Sequence, residues 1–134
     1  MLHEASQFIL SFRWCGAIQE SYLGIGIGGV LAVFLFRILP IEAGVDEWLW
    51  AIVGDLPPAY LVTDNAPNAA CALEGYVEEM ARWAQAAKRG KAVADLIPVN
   101  VPPTPENAIE LRSRLDFIEK EILPQYSDDL KSCP

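Results

Sequence analysis

The period of the apolar positions changes along the chain, and each change marks an element. In residues 3–13, Phe8, Ile9 and Phe12 fall on one side of a helix with Ala5 beside them, and Gly16 stands where such a helix would stop. Leu23 to Phe36 is apolar throughout, broken only by glycines. Gly28-Gly29 splits this run in two, and a Gly-Gly pair accepts the positive φ angles of a type I′ hairpin turn. With those two as the turn, Ile27 pairs with Val30, Ile25 with Ala32, and Leu23 with Phe34. Leu23, Ile25, Ile27, Val30, Phe34 and Phe36 then share one face, and Tyr22, Gly24, Gly26, Leu31, Val33, Leu35 and Arg37 share the other. Neither face is polar, so the hairpin is expected to be central and covered on both sides. The bare positions Gly24 and Gly26 would let a helix or an aromatic ring come close.

Pro40 and Gly44 mark a link to a third strand over 47–53, where Trp48, Trp50 and Ile52 alternate with Leu49, Ala51 and Val53. Gly54-Asp55-Leu56-Pro57-Pro58 is a turn, because consecutive prolines cannot continue a central ladder. Ala59 to Thr63 makes a fourth strand. The period then becomes helical: Asp64 or Asn65 can cap, Pro67 suits a first turn, and Leu73, Tyr76, Val77, Met80, Trp83, Ala84 and Ala87 line one face up to Gly90. A proline-rich connector over 91–103 precedes Thr104-Pro105-Glu106, a cap, a proline at the first helical position and an acid in the first turn. Ala108, Leu111, Leu115, Ile118 and Ile122 form the apolar stripe of that helix, and Pro124 is expected to end it. The order helix, four strands, two helices predicts an α+β fold: an antiparallel four-stranded meander sheet packed by helices. The expected organisation is one domain over 1–124 and a loose polar tail over 125–134.

Composition narrows the function classes. With 10 basic against 18 acidic residues, the chain of 134 residues carries a formal charge of −8. That charge repels phosphate backbones and anionic membranes and is compatible with a basic protein partner, so neither nucleic acid nor membrane is expected as a partner. The 14 apolar residues Leu23 to Phe36 end at Arg37 and fall short of the about 20 that a spanning helix needs. Cys15, Cys71 and Cys133 are odd in number and far apart, which points to reduced thiols in a cytoplasmic protein, with neither a disulfide nor zinc holding the fold. The opening Met1-Leu2-His3-Glu4 has no basic leader region, so no signal peptide is expected.

Motifs add little chemistry. Gly24-Ile25-Gly26-Ile27-Gly28-Gly29 matches a dinucleotide fingerprint in spacing, yet β-rich sequence follows it where a helix would have to start. His3 is the only histidine, so a histidine-based triad would have to be built at the chain terminus. The acidic pairs Glu78-Glu79 and Glu119 with Glu121 point in different directions on a helix and read as solvated surface. No catalytic residue, metal ligand or cofactor is assigned. The densest group of polar residues is the Asp55–Asn68 loop, and the candidate binding residues are Asp55, Tyr60, Asp64, Asn65, Asn68 and Glu74, with Trp48 and Trp50 as aromatic anchors. Turn and cap chemistry accounts for the same aspartates and asparagines.

The stretch GDLPPAYLVTDNAPN over 54–68, led by Trp48-Leu49-Trp50, together with IPVNVPPTPE over 97–106, resembles a family of small bacterial proteins of unknown function. The resemblance implies no activity. In size and charge the chain is also similar to bacterial immunity proteins, which neutralise toxins by contact.

These readings lead to a non-catalytic protein-binding domain, an immunity-type inhibitor or adaptor that uses an acidic surface against a basic partner. The alternatives are a small enzyme or ligand-binding domain built on the Asp55–Asn68 loop, and a homodimeric structural protein that pairs through an exposed sheet edge.

Overall fold

The computed structural model describes residues 1–134. Helix α1 (Leu2–Leu10) leads into four strands, β1 (Cys15–Ile27), β2 (Leu31–Pro40), β3 (Trp48–Gly54) and β4 (Ala59–Val62). Helices α2 (Ala69–Lys88) and α3 (Pro105–Phe117) follow, and α4 (Ser127–Leu130) closes the chain. The strands pair antiparallel in the order β1-β2-β3-β4, a four-stranded meander in an α+β fold as the alternating patterns predict. No helix is long and apolar enough to cross a membrane.

The sheet separates two cores. On one side α1 lays Ala5 and Ile9 on Ala32, Phe34, Phe36, Ile38, Leu49, Ala51 and Val53. On the other, Leu31, Val33, Trp50, Ile52 and Ala59 meet α2. The outward side of α2 is covered in turn by α3 and by the C-terminal segment, which is why Leu73, Tyr76, Met80 and Trp83 are all buried. The expected alternation of β3 holds: Trp50 and Ile52 face α2 while Leu49, Ala51 and Val53 face α1.

The hairpin register departs from expectation. Only Gly29 of the pair has positive φ, at +72°, and the Val30 amide donates to the Ile27 carbonyl at 2.9 Å. A single positive φ at the third turn position is a type II signature, not the doubly positive type I′. The loop takes in Val30, so Ile27 pairs with Leu31 and Ile25 with Val33. A one-residue slip turns a strand over. Ile25 therefore shares the α2 face with Leu31 and Val33, while Phe34 and Phe36 lie on the α1 face. A bulge between Leu23 and Ile25 absorbs the extra residue, and Leu23 pairs with Phe34 after all. Of the two bare glycines, Gly24 is closely approached: a Cβ there would lie 2.5 Å from the Ala69 Cβ and 3.4 Å from the Trp50 ring. At Gly26 the nearest atoms are those of the flexible Leu23 side chain, 3.2 Å from where a Cβ would lie. Burial is also uneven. β2 is central, whereas β1 is a long edge strand carrying exposed Tyr22 and Leu23, so the hairpin is covered on both sides in β2 alone.

At the helix ends, the cap of α2 is Asn68, later than Asp64 or Asn65; its side chain accepts from the Cys71 amide at 2.9 Å. Thr104 caps α3 as expected, with Pro105 in the first turn. Pro124 does not simply end that helix. A π turn over Ile118–Ile122 and a 3-10 turn over Leu123–Tyr126 intervene, and they keep Ile118, Ile122 and Leu123 buried beside α2. The last residues, read as a loose tail, are fastened: Asp129 accepts from the Asn68 amide side chain at 3.0 Å, and Cys133 is bonded to Cys71. This disulfide corrects the expectation of three reduced thiols. Its cysteines lie 62 positions apart in sequence but bring their Cα atoms to 5.5 Å once the tail folds back over α2, a proximity that spacing alone does not reveal. Cys15 alone is a free thiol, and it is buried. The expectation of a cytoplasmic protein rested on reduced thiols, and the bridge removes that support.

Candidate functional site: an aromatic cleft at the edge of β4

Strand β4 pairs only with β3, so one side of its backbone is open. Two layers meet at this edge. Tyr60 opposes Ala51 and projects to the α1 side, whereas Ala59 and Leu61 project towards α2. Helix α1 is short, and with Ile9 buried against the sheet its neighbours Phe8 and Phe12 are turned towards this edge. The connector segment Ile97–Asn100 runs past the edge without a backbone hydrogen bond to it. Pro98 removes a donor and favours extended backbone at Ile97, which suits a strap better than a paired strand.

Between these walls lies a cleft of about 440 Å³ lined by Phe8, Phe12, Tyr60, Leu61, Pro98 and Val99 among others, with Glu79 and Asn100 as its polar members. Its aromatic side is an interlocked group. Phe12 meets Phe8 edge-on at 5.2 Å, stacks on Trp14 at 4.9 Å and meets Tyr60 edge-on at 5.1 Å. Trp14 and Tyr60 are also 5.1 Å apart. Such offset and edge contacts hold rings in place and present a stiff apolar wall. Leu61 and Glu79 also line an adjoining groove with Glu74, Glu78 and Asn65, so acidic side chains of α2 continue the site along the β4 edge.

The sequence-selected residues fall in several places. Tyr60 is in the cleft, and Asn65 and Glu74 are in the acidic groove beside it. Asn68 is the α2 cap. Asp64 is exposed and makes neither an ion pair nor a side-chain hydrogen bond. Asp55 is at the far end of β4, where Arg114 of α3 donates to its backbone carbonyl at 2.8 Å and reaches its carboxylate at 3.5 Å. Trp50 is buried and its indole donates to the Ala66 carbonyl at 2.9 Å. Trp48 is at the uncovered end of the sheet, stacked on Tyr22 at 6.3 Å. Beside it Arg37 lies between Glu20 and Glu47, and Tyr22 donates to Glu20. The Tyr22 hydroxyl and then the Arg37 guanidinium hold the Glu20 carboxyl below its usual range, and the same carboxylate raises the Tyr22 phenol.

Phe8, Phe12, Trp14 and the 97–100 strap escaped the sequence reading as site residues. The available signal was the run of three aromatic residues Phe8, Phe12 and Trp14 at and just beyond the end of a nine-residue helix, more than its one sheet-facing side can bury beside Ile9. No three His, Cys, Asp or Glu side chains gather to hold a metal ion, and every buried side-chain nitrogen and oxygen has a hydrogen-bond partner. No family model, no curated protein and no solved structure matches the chain.

Proposed function

We propose that the chain is a non-catalytic protein-binding domain of the inhibitor or adaptor kind, and that its partner presents apolar and basic side chains to the β4 edge. The supporting observation is the aromatic cleft continuous with the acidic groove of Glu74, Glu78 and Glu79. Stiff aromatic walls gain contact area at little entropic cost, and an open strand edge supplies backbone donors and acceptors to an extended segment. The charge of −8 steers a basic partner towards the surface and raises its association rate.

The test is selection from a displayed peptide library on the full chain, followed by affinity measurement on Phe12→Ala, Tyr60→Ala and Glu79→Gln. Selected peptides should combine aromatic or aliphatic residues with Lys or Arg. Losing an aromatic anchor should weaken binding by about 2 kcal/mol, roughly thirtyfold, measured at a temperature well below the transition of each variant, because the ring contacts also contribute to stability. Enrichment of acidic peptides, or binding indifferent to both aromatic truncations, refutes the proposal.

A further inference from the structure

On the surface of the helical layer remote from the sheet, α2 and α3 come together through Ala84 and Ala108, both buried. Small side chains at the contact leave an open groove of about 930 Å³ between the helices. Four of the ten basic residues in the chain line it: Arg82, Lys88, Arg89 and Arg112. Asp116 is the one acid in the lining. Glu79 at 3.0 Å from Arg82, and Glu119 at 3.6 Å from Arg112, stand just outside. Counting all seven gives a local charge of +1, so the rest of the chain carries −9 to reach its total of −8.

Two of the four bases have a structural task. Lys88 and Arg89 sit at the C-terminal end of α2, where the helix dipole favours cations. Neither, however, forms an ion pair, so their donors remain available. Arg112 is shared between Asp116 at 3.1 Å and Glu119, both exposed pairs of the kind that contribute little and exchange readily for a better anion. Ser113 and Gln85 add neutral hydrogen-bonding groups, and exposed Ile109 gives an apolar patch on the opposite wall.

We infer that the α2–α3 groove is a binding site for a small phosphorylated ligand that carries an apolar, flat moiety. Guanidinium forks and an ammonium suit phosphate oxygens. The alanine floor and Ile109 suit a ring, and the volume matches ligand pockets of about 300–1,000 Å³. A nucleic acid is disfavoured because the surrounding −9 would repel its further phosphates. The site is separate from the β4 cleft and does not depend on the function proposed for it.

The experiment titrates the full chain with adenosine diphosphate, inorganic pyrophosphate and sulfate at constant ionic strength, followed by backbone amide shifts. Saturable shifts should concentrate in 81–89 and 108–116, with adenosine diphosphate tighter than pyrophosphate and pyrophosphate tighter than sulfate. Lys88→Gln and Arg112→Gln should each weaken binding by about tenfold, the usual scale for one charge-assisted contact, while Phe12→Ala leaves it unchanged. Shifts that stay linear to about 10 mM, a response equal for sulfate, pyrophosphate and adenosine diphosphate, or unaltered affinity in both groove variants overturns the inference.

Discussion

The Cys71–Cys133 bridge gives the most direct test of how this chain is held together. It closes a loop of 62 residues that contains α2, the connector, α3 and the folded-back tail. In the loop-entropy treatment such a closure removes about 14 cal/mol/K from the unfolded chain, or about 4 kcal/mol at 25 °C. That is a large share of the ~5–15 kcal/mol typical of a domain. Little else ties the tail: Asn68 donates to the Asp129 carbonyl, and Tyr126 and Leu130 pack partly buried on the core. Reduction with a dithiol, or Cys133→Ser, should lower the urea midpoint by about 2 M, taking m near 2 kcal/mol/M. By heat it should lower Tm by roughly 15 °C at the entropy expected for this length. Hydrogen exchange should show the loss beginning at the N-terminal turns of α2, where the bridge attaches. Equal urea midpoints with and without reductant, or three thiols titrating in the unreduced protein after unfolding, would refute the reasoning.

Other consequences follow from single contacts. Tyr76 is buried and its hydroxyl donates to the Pro57 carbonyl at 2.6 Å, so Tyr76→Phe should cost about 1–2 kcal/mol in urea unfolding at pH 7. Burial pushes the Tyr76 phenol far above its ordinary value, so the stability it contributes is complete below the unfolded pKa of about 10 and declines as pH rises beyond it; Tyr76→Phe should lack that part of the alkaline decline. Gly75 lies inside α2 with open space where a Cβ would go, and Gly75→Ala should stabilise by about 0.5–1 kcal/mol, read as a raised urea midpoint. Gly24→Ala should destabilise by about 1–3 kcal/mol, because the added Cβ meets Ala69 at 2.5 Å. Asn68→Ala removes both the cap of α2 and the tie to Asp129, and should cost about 1–2 kcal/mol by the same measurement.

The elements were legible because each has a one-dimensional signal. The alternation of Trp48 to Val53 and the helical spacing of Leu73 to Ala87 depend on burial against whatever layer lies nearest, and sequence reports that period directly. The register was not legible, for a specific reason. Gly28-Gly29 satisfies either a two-residue turn or a looser one that takes in Val30, and the two differ by one residue. Next to the turn, from Leu23 to Phe36, both strands are apolar on both faces in sequence, so no polar position there penalises the wrong face. The bulge beside Leu23 reconciles the longer turn with the pairing further down the hairpin, and it falls at Gly24, where Ala69 and Trp50 come close.

The site was less legible than the fold because its walls come from segments far apart in sequence. Polar density drew the reading to the Asp55–Asn68 loop, and the structure spreads that loop from the Arg114 contact at one end of β4 to the α2 cap at the other. A short edge strand divides its neighbours between two layers, so consecutive residues Tyr60 and Leu61 belong to opposite sides. The aromatic cluster forms only because α1 crosses one face of the sheet while the 97–100 strap passes the edge. Its members Phe8, Phe12 and Trp14 look, in sequence, like the core face of a helix and its exit. The nine-residue helix buries Ala5 and Ile9 fully, Phe8 and Trp14 pack only partly on the same core, and Phe12 just beyond the helix is left to meet another element or water. Here it meets Tyr60 across the open edge. The apolar surface that remains uncovered is therefore a consequence of how short α1 is, and it lies beside the one strand edge flanked by three glutamates of α2. Phe12 stands two residues beyond the end of α1, where its ring meets Phe8, Trp14 and Tyr60 and stays part-exposed in the cleft wall.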